Sequence, residues 1–118
     1  MARIVVVEVD DADRARLRTL LAEAGHQVTE AGSFHEGRAA LLSETADLLV
    51  TNVRLGAFNG LQLLLLNPLP LPGVVISRFP DPLLAAEAVR AGAEYLAAPH
   101  TPDELLERVA FALNRARP

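Results

Sequence analysis

Ile4-Val5-Val6-Val7 is an unbroken β-branched run, and it passes directly into Glu8-Val9-Asp10-Asp11. A short apolar run without polar alternation reads as a strand buried on both faces, which is the habit of parallel sheets. The acids that follow suit a helix start. Asp10, Asp11 and Asp13 offer a cap and first-turn charges, Leu17, Leu20 and Leu21 follow at helical spacing, and Gly25 ends the pattern. The same alternation continues outward. Gln27 to Glu30 reads as a second, less apolar strand near an edge, and Ser33 with Glu36 forms a capping-box pattern for a helix to about Ser43. Leu48 to Val53 is the next buried strand. Gly56 to Asn59 reads as a turn, and Gly60 to Leu66 as a short helix stopped by Asn67-Pro68. The prolines at 68, 70 and 72 exclude regular structure there, because each removes a donor and restrains its predecessor. Val74 to Ser77 is the fourth strand, and Pro82 opens a helix ending at Gly92. Tyr95 to Ala97 is the fifth strand, and Thr101-Pro102-Asp103-Glu104 starts the last helix. Five strands alternating with helices predict a parallel α/β sheet covered on both faces. In such sheets function gathers at the strand carboxyl ends, here Glu8-Val9-Asp10, Asn52-Val53-Arg54, Ser77-Arg78 and Ala98-Pro99.

Composition narrows the classes. The chain has 118 residues, 51% of them hydrophobic, so it has the size and apolar content of one domain spanning 1–118. It has no cysteine, hence no disulfide and no thiolate metal site. Its net charge of −4 argues against a nucleic-acid surface. No apolar run reaches the roughly 20 residues of a membrane span. Met1-Ala2-Arg3 leaves no room for a signal peptide before the first strand. A cytoplasmic domain is the expectation. Neither G-x-G-x-x-G nor a P-loop occurs, and His26, His35 and His100 show no metal spacing, so no cofactor or metal is expected and the histidines are read as surface residues.

Over almost its whole length the chain resembles a response-regulator receiver domain. The resemblance rests on Ile4 to Glu8, Ala46 to Leu55 with Asn59-Gly60-Leu61, Val74 to Ser77, Ala88 to Ala93, Tyr95-Leu96, Pro99 and Pro102 to Leu106, taken in order. It implies a flavodoxin-like, doubly wound five-stranded sheet in strand order 2-1-3-4-5, serving a bacterial two-component phosphorelay. It also implies a chemistry: an aspartate ending the third strand accepts a phosphoryl group, an acidic pair ending the first strand holds Mg²⁺ with it, a Ser/Thr ends the fourth, and a lysine precedes the final proline. Here the acceptor position is Asn52, the acidic pair is Glu8-Val9, and the lysine position is Ala98. Ser77 alone matches among the directly acting residues, with Asp10 beside the pocket and Tyr95 as the aromatic counterpart of a Ser77 switch. Pro99 is the candidate for a cis peptide bond, and the connection from Gly92 to Tyr95 is one residue tighter than the family's.

An amide cannot form an acyl phosphate, so the expected function is a phosphorylation-independent pseudo-receiver, not an enzyme, that works through protein contacts. Its partner is a signalling protein, a fused output domain or a second copy; the sequence closes at Arg117-Pro118 after the last helical pattern, which suits a longer regulator or a standalone adaptor. The alternative is a small-ligand or metal sensor using Glu8, Asp10 and Ser77. Arg78 is expected to pair with Glu8 or Asp10 in place of the lysine. Leu63 to Leu66 cannot all face inward on one helix. Leu65, Leu66, Leu69 and Leu71 are therefore the expected partner surface, while Glu87, Arg90, Glu94 and Arg108 suggest an ordinarily solvated face on the fourth and fifth helices.

Overall fold

The computed structural model describes residues 1–116; Arg117 and Pro118 lie outside the described residues. The β-branched run forms β1 (Arg3–Val7), in which Ile4 to Val7 are all buried. It lies between β2 (Gln27–Ala31) and β3 (Leu48–Asn52), parallel to both. After β3 the chain makes a small antiparallel hairpin, β4 (Arg54–Leu55) with β5 (Phe58–Asn59). β6 (Gly73–Ser77) and β7 (Glu94–Ala97) then complete the main sheet in the order β2-β1-β3-β6-β7. Without the hairpin, that is the expected order 2-1-3-4-5.

Alternation along β1 explains why no polar residue interrupts it, since each face has its own helical cover. Ile4 and Val6 join Leu48, Val50, Val74 and Ile76 under α1 (Asp11–Glu23) and α5 (Pro102–Arg115), which contribute Leu21, Leu105 and Val109. Val5, Val7 and Leu49 face the other way, under Phe34 of α2 (Phe34–Ser43) and Leu63 of α3 (Leu61–Leu66). α4 (Pro82–Arg90) closes that side with Ala88, packed with Leu61 and Val75. Gly37 lets α2 sit close to the sheet, because a Cβ there would lie 2.7 Å from Val7 Cγ2.

The helix starts follow local chemistry. Asp10 caps α1 by accepting from Asp13 N at 2.8 Å, and Ser33 caps α2 by accepting from Glu36 N at 3.1 Å. Thr101 and Glu104 form a reciprocal capping box on α5. Asp81, which the sequence reading passed over, caps α4 ahead of Pro82. Among the described residues no helix is long and apolar enough to cross a membrane.

Candidate site at the strand carboxyl ends

Glu8 follows β1 directly and is 6% exposed, so its carboxylate requires partners. Oε1 accepts from Asn52 Nδ2 at 2.8 Å, and Oε2 accepts from Asp10 N at 3.1 Å. Asn52 ends β3, and its Oδ1 accepts from the Arg54 backbone N–H at 3.0 Å. A backbone N–H only donates, so that bond orients the amide with its NH₂ toward Glu8. The side chain thus bridges the buried carboxylate and the first residue of the hairpin. Gly60 permits the hairpin to return closely, since a Cβ at that position would collide with Asn52 O and Thr51 Oγ1. At the hairpin's other end Phe58 stacks on Phe34 with centroids 4.6 Å apart, and His35 lies edge-on to both.

Ser77 ends β6 and its hydroxyl donates to the carbonyl of Phe79. Tyr95 OH donates to the same carbonyl at 3.4 Å and accepts from Asp81 N at 2.9 Å. Both hydroxyls of the expected switch therefore converge on the β6–α4 loop. Ala98 N donates to Ser77 O at 2.8 Å, and the Ala98-Pro99 peptide bond is cis. Val9 is 47% exposed.

The arginine beside the site is not the expected one. Arg78 reaches neither Glu8 nor Asp10; its guanidinium lies 3.9 Å from Asp13 and is largely solvated. Asp10 is committed to the α1 cap, and Glu8 already has two donors, so neither draws Arg78 inward. Arg14, on the first turn of α1, is the cation the sequence reading missed. Its Nη1 donates to Glu8 O at 2.9 Å, its Nη2 meets Asp11 at 2.6 Å, and its Nε faces Glu30 at 3.6 Å. The hydrogen bond to Asp11, with Glu30 and Glu36 nearby, raises its pKa above the ordinary guanidinium value. The available signal was the spacing of Arg14 three residues after Asp11 on one helix face.

Of the expected partner surface, Leu65, Leu66 and Leu69 are more than half exposed, whereas Leu71 is partly buried against the core under α2 and α3. Leu42 of α2, unforeseen, is 61% exposed. On the α4–α5 side Glu94 is withdrawn from solvent and paired with Arg108 and Arg115, while Leu83, Val89 and Phe111 are exposed. That face is more apolar than the charges in the sequence suggested. His26 is half-buried, not a free surface histidine, and its Nδ1 accepts from Ala2 N at 3.1 Å.

Comparison with known proteins matches these features to one family. The family model described as "Response regulator receiver domain" matches residues 4–110. The chain belongs to that family. It is 33% identical over 119 residues to the transcriptional regulatory protein ZraR of Salmonella typhimurium, a match covering 97% of this chain and 27% of ZraR. It is 32% identical over 107 residues to the alginate biosynthesis transcriptional regulatory protein AlgB of Pseudomonas aeruginosa, covering 87% of this chain and 24% of AlgB. The chain thus spans about a quarter of the length of the curated relatives it matches. Among solved structures, a response regulator receiver domain protein of Methanospirillum hungatei superposes with a TM-score of 0.86 at 25% identity, covering 98% of this chain and 95% of that one. NtrX of Brucella abortus, solved with ADP, superposes with a TM-score of 0.84 at 27% identity, covering 97% of this chain and 27% of NtrX.

The Mg²⁺ that receiver chemistry implies does not fit these residues. The ion wants oxygen ligands, yet Asn52 turns its NH₂ to Glu8, Val9 offers an isopropyl group, and Asp10 caps a helix. Among the described residues no three His, Asp or Glu side chains converge as a metal set.

Proposed function

We propose that this receiver signals without phosphorylation, as a non-enzymatic module acting through protein contacts. The observation that carries the reading is the Asn52 amide at the end of β3, donating to Glu8 at 2.8 Å where the family places its acceptor carboxylate. A carboxamide does not attack phosphorus, and this one is further engaged on both its atoms. Ala98 supplies no cation for a phosphoryl oxygen. Ser77 and Tyr95, the switch pair, are held by the protein's own loop. Glu8, Val9, Asp10, Asn52, Ser77 and Ala98 are on this reading a degenerate pocket that holds the strand ends together. The sensor alternative has less support, because Glu8, Asp10 and Ser77 all have internal partners.

We further read residues 1–118 as one cytoplasmic domain whose partner is a protein, either a signalling protein or an output domain of a longer regulator. Binding of nucleic acid by this domain is disfavoured by its net charge of −4.

Intact-mass measurement after incubation with acetyl phosphate and Mg²⁺ tests the reading. The expected result is an unchanged mass. A phosphate adduct lost on hydroxylamine treatment would overturn it. Asn52→Asp alone is expected to label poorly, and Asn52→Asp with Val9→Asp and Ala98→Lys to label better, since the triple change restores nucleophile, metal ligand and cation together.

A further inference from the structure

We infer that Asn59 is a site of spontaneous deamidation, and that the β4–β5 hairpin withholds the reaction by keeping the Gly60 nitrogen bonded to Val53. The chain has four asparagines, and Asn59 alone is followed by glycine. Glycine puts no side chain in the way of its own nitrogen as that nitrogen approaches the amide carbon. The Gly60 nitrogen attacks Asn59 Cγ, the new N–C bond forms, the bond from Cγ to the NH₂ group breaks, and ammonia leaves with the proton from Gly60. Water then opens the cyclic imide at either carbonyl, giving aspartate or isoaspartate. The other asparagines lack this opportunity. Val53, β-branched, follows Asn52 and donates its N–H to Ile76 O at 2.9 Å; Pro68 follows Asn67 and has no N–H; Asn114 lies within α5.

Two contacts at Asn59 act in opposite directions. Its Oδ1 accepts from the Leu61 N–H at 2.9 Å, at the start of α3. That donor draws charge from the amide carbon and would stabilise the oxyanion formed on attack. The block lies at the nucleophile. Attack requires the Gly60 nitrogen to lose its proton and turn toward Cγ, but its N–H donates to Val53 O at 2.7 Å. Pairing of Asn59 with Arg54 in the hairpin fixes the backbone on the other side. While the hairpin is closed, the polarised carbon has no free nitrogen to meet, so the block prevails. The glycine itself is required by the fold, since a Cβ at position 60 would collide with Asn52 O and Thr51 Oγ1. The same tight fit makes the two products unequal. Aspartate keeps an acceptor for Leu61 N, whereas isoaspartate adds a methylene to the main chain beside a buried Gly60 and pushes the hairpin off the end of β3.

Incubation in mildly alkaline buffer, folded and in guanidinium chloride, followed by peptide mapping with mass spectrometry, tests the inference. The unfolded chain should convert Asn59 ahead of Asn52, Asn67 and Asn114, giving both acids. The folded chain should convert it at least about tenfold more slowly, because only the locally opened hairpin reacts. Phe58→Ala removes the stack on Phe34 that closes the hairpin's other end, and should raise the folded rate at least about threefold relative to that variant's own unfolded rate. Thr101→Ala, which weakens the cap of α5 away from the hairpin, should leave that ratio unchanged. The isoaspartyl form, separated by chromatography, should have a lower urea midpoint than the aspartyl form. A folded chain that reacts as fast as the unfolded one, or an unfolded chain that converts another asparagine first, overturns the site. Equal acceleration by Phe58→Ala and Thr101→Ala overturns the hairpin as the gate. An isoaspartyl form as stable as the aspartyl form overturns the link from residue 59 to the end of β3.

Discussion

At Asn52 a neutral amide lies 2.8 Å from a carboxylate that is almost wholly buried. Asn52→Asp replaces that donor with a second carboxylate, and two carboxylates at such a distance do not both ionise. The variant is expected to lose about 1–3 kcal/mol at pH 7.5, with the loss shrinking as a carboxylate takes up a proton in acid; urea titrations at pH 7.5 and in acid measure it. Equal stability of variant and wild type at pH 7.5 would show that the Asn52–Glu8 bond contributes nothing. The arginines give a second contrast. Arg14 is 19% exposed and tied to Glu8 O and Asp11, whereas Arg78 is 71% exposed and 3.9 Å from Asp13. Arg14→Met should lower the urea midpoint visibly and Arg78→Ala should leave it in place, because exposed pairs contribute little. The reverse order would mean that Arg78 turns inward after all. The identity of Asn52, Val9 and Ala98 was readable from the sequence; which arginine approaches the site was not, because that depends on which acids already have donors.

The elements divide between those that local chemistry specifies and those that need neighbours. α5 belongs to the first group: Thr101, Pro102 and Glu104 start it by local bonds alone. Thr101→Ala should cost about 1 kcal/mol by removing the cap, read as a lower thermal midpoint. α3 belongs to the second. Its six residues are nearly all leucine, and only packing separates Leu63, 2% exposed, from Leu65 and Leu66. Leu63→Ala should cost about 2–5 kcal/mol, while Leu65→Glu and Leu66→Glu should each stay within about 0.5 kcal/mol in dilute solution. Large losses from the two surface changes would place those leucines in the core. The hairpin β4–β5 also belongs to the second group. Two-residue strands carry no periodicity, so a turn was all that residues 56–59 could announce. Its shape comes from the Asn52–Arg54 bond at one end and the Phe34–Phe58 stack at the other.

Two local groups contribute a pH dependence to the stability of the whole molecule. Burial lowers the His26 pKa below its ordinary 6.5, and the nearby N-terminal amine lowers it further. The neutral ring accepts Ala2 N–H, tying the start of β1 to the α1–β2 turn. The unfolded chain therefore takes up this proton first, so stability is full above about pH 6.5 and falls as pH drops through that value toward the folded pKa. Glu104 is held below its ordinary 4.5, chiefly by the Thr101 backbone N–H, so its contribution is present above that value and is lost in stronger acid. Urea midpoints from pH 8 to pH 3 should show two descending windows. His26→Asn, whose Oδ1 can replace the ring acceptor, should flatten the first and leave the second. A first window that persists in that variant would place its origin elsewhere.

What the sequence determined by itself was the order of strands and helices, the parallel sheet, most helix starts, and the four strand ends at which the candidate site lies. Those follow from the β-branched run at Ile4 to Val7, from capping residues and from prolines, all of which act within a few residues. What only the tertiary structure decided was the contact made by each long or ambiguous side chain: Arg14 in place of Arg78, Leu71 turned into the core, Leu42 left outside, and Glu94 withdrawn between Arg108 and Arg115. Backbone preferences are local and add up along the chain. The partner of a flexible charge, or the cover of one leucine among four, is settled by competition among groups distant in sequence, and only folding brings those groups together.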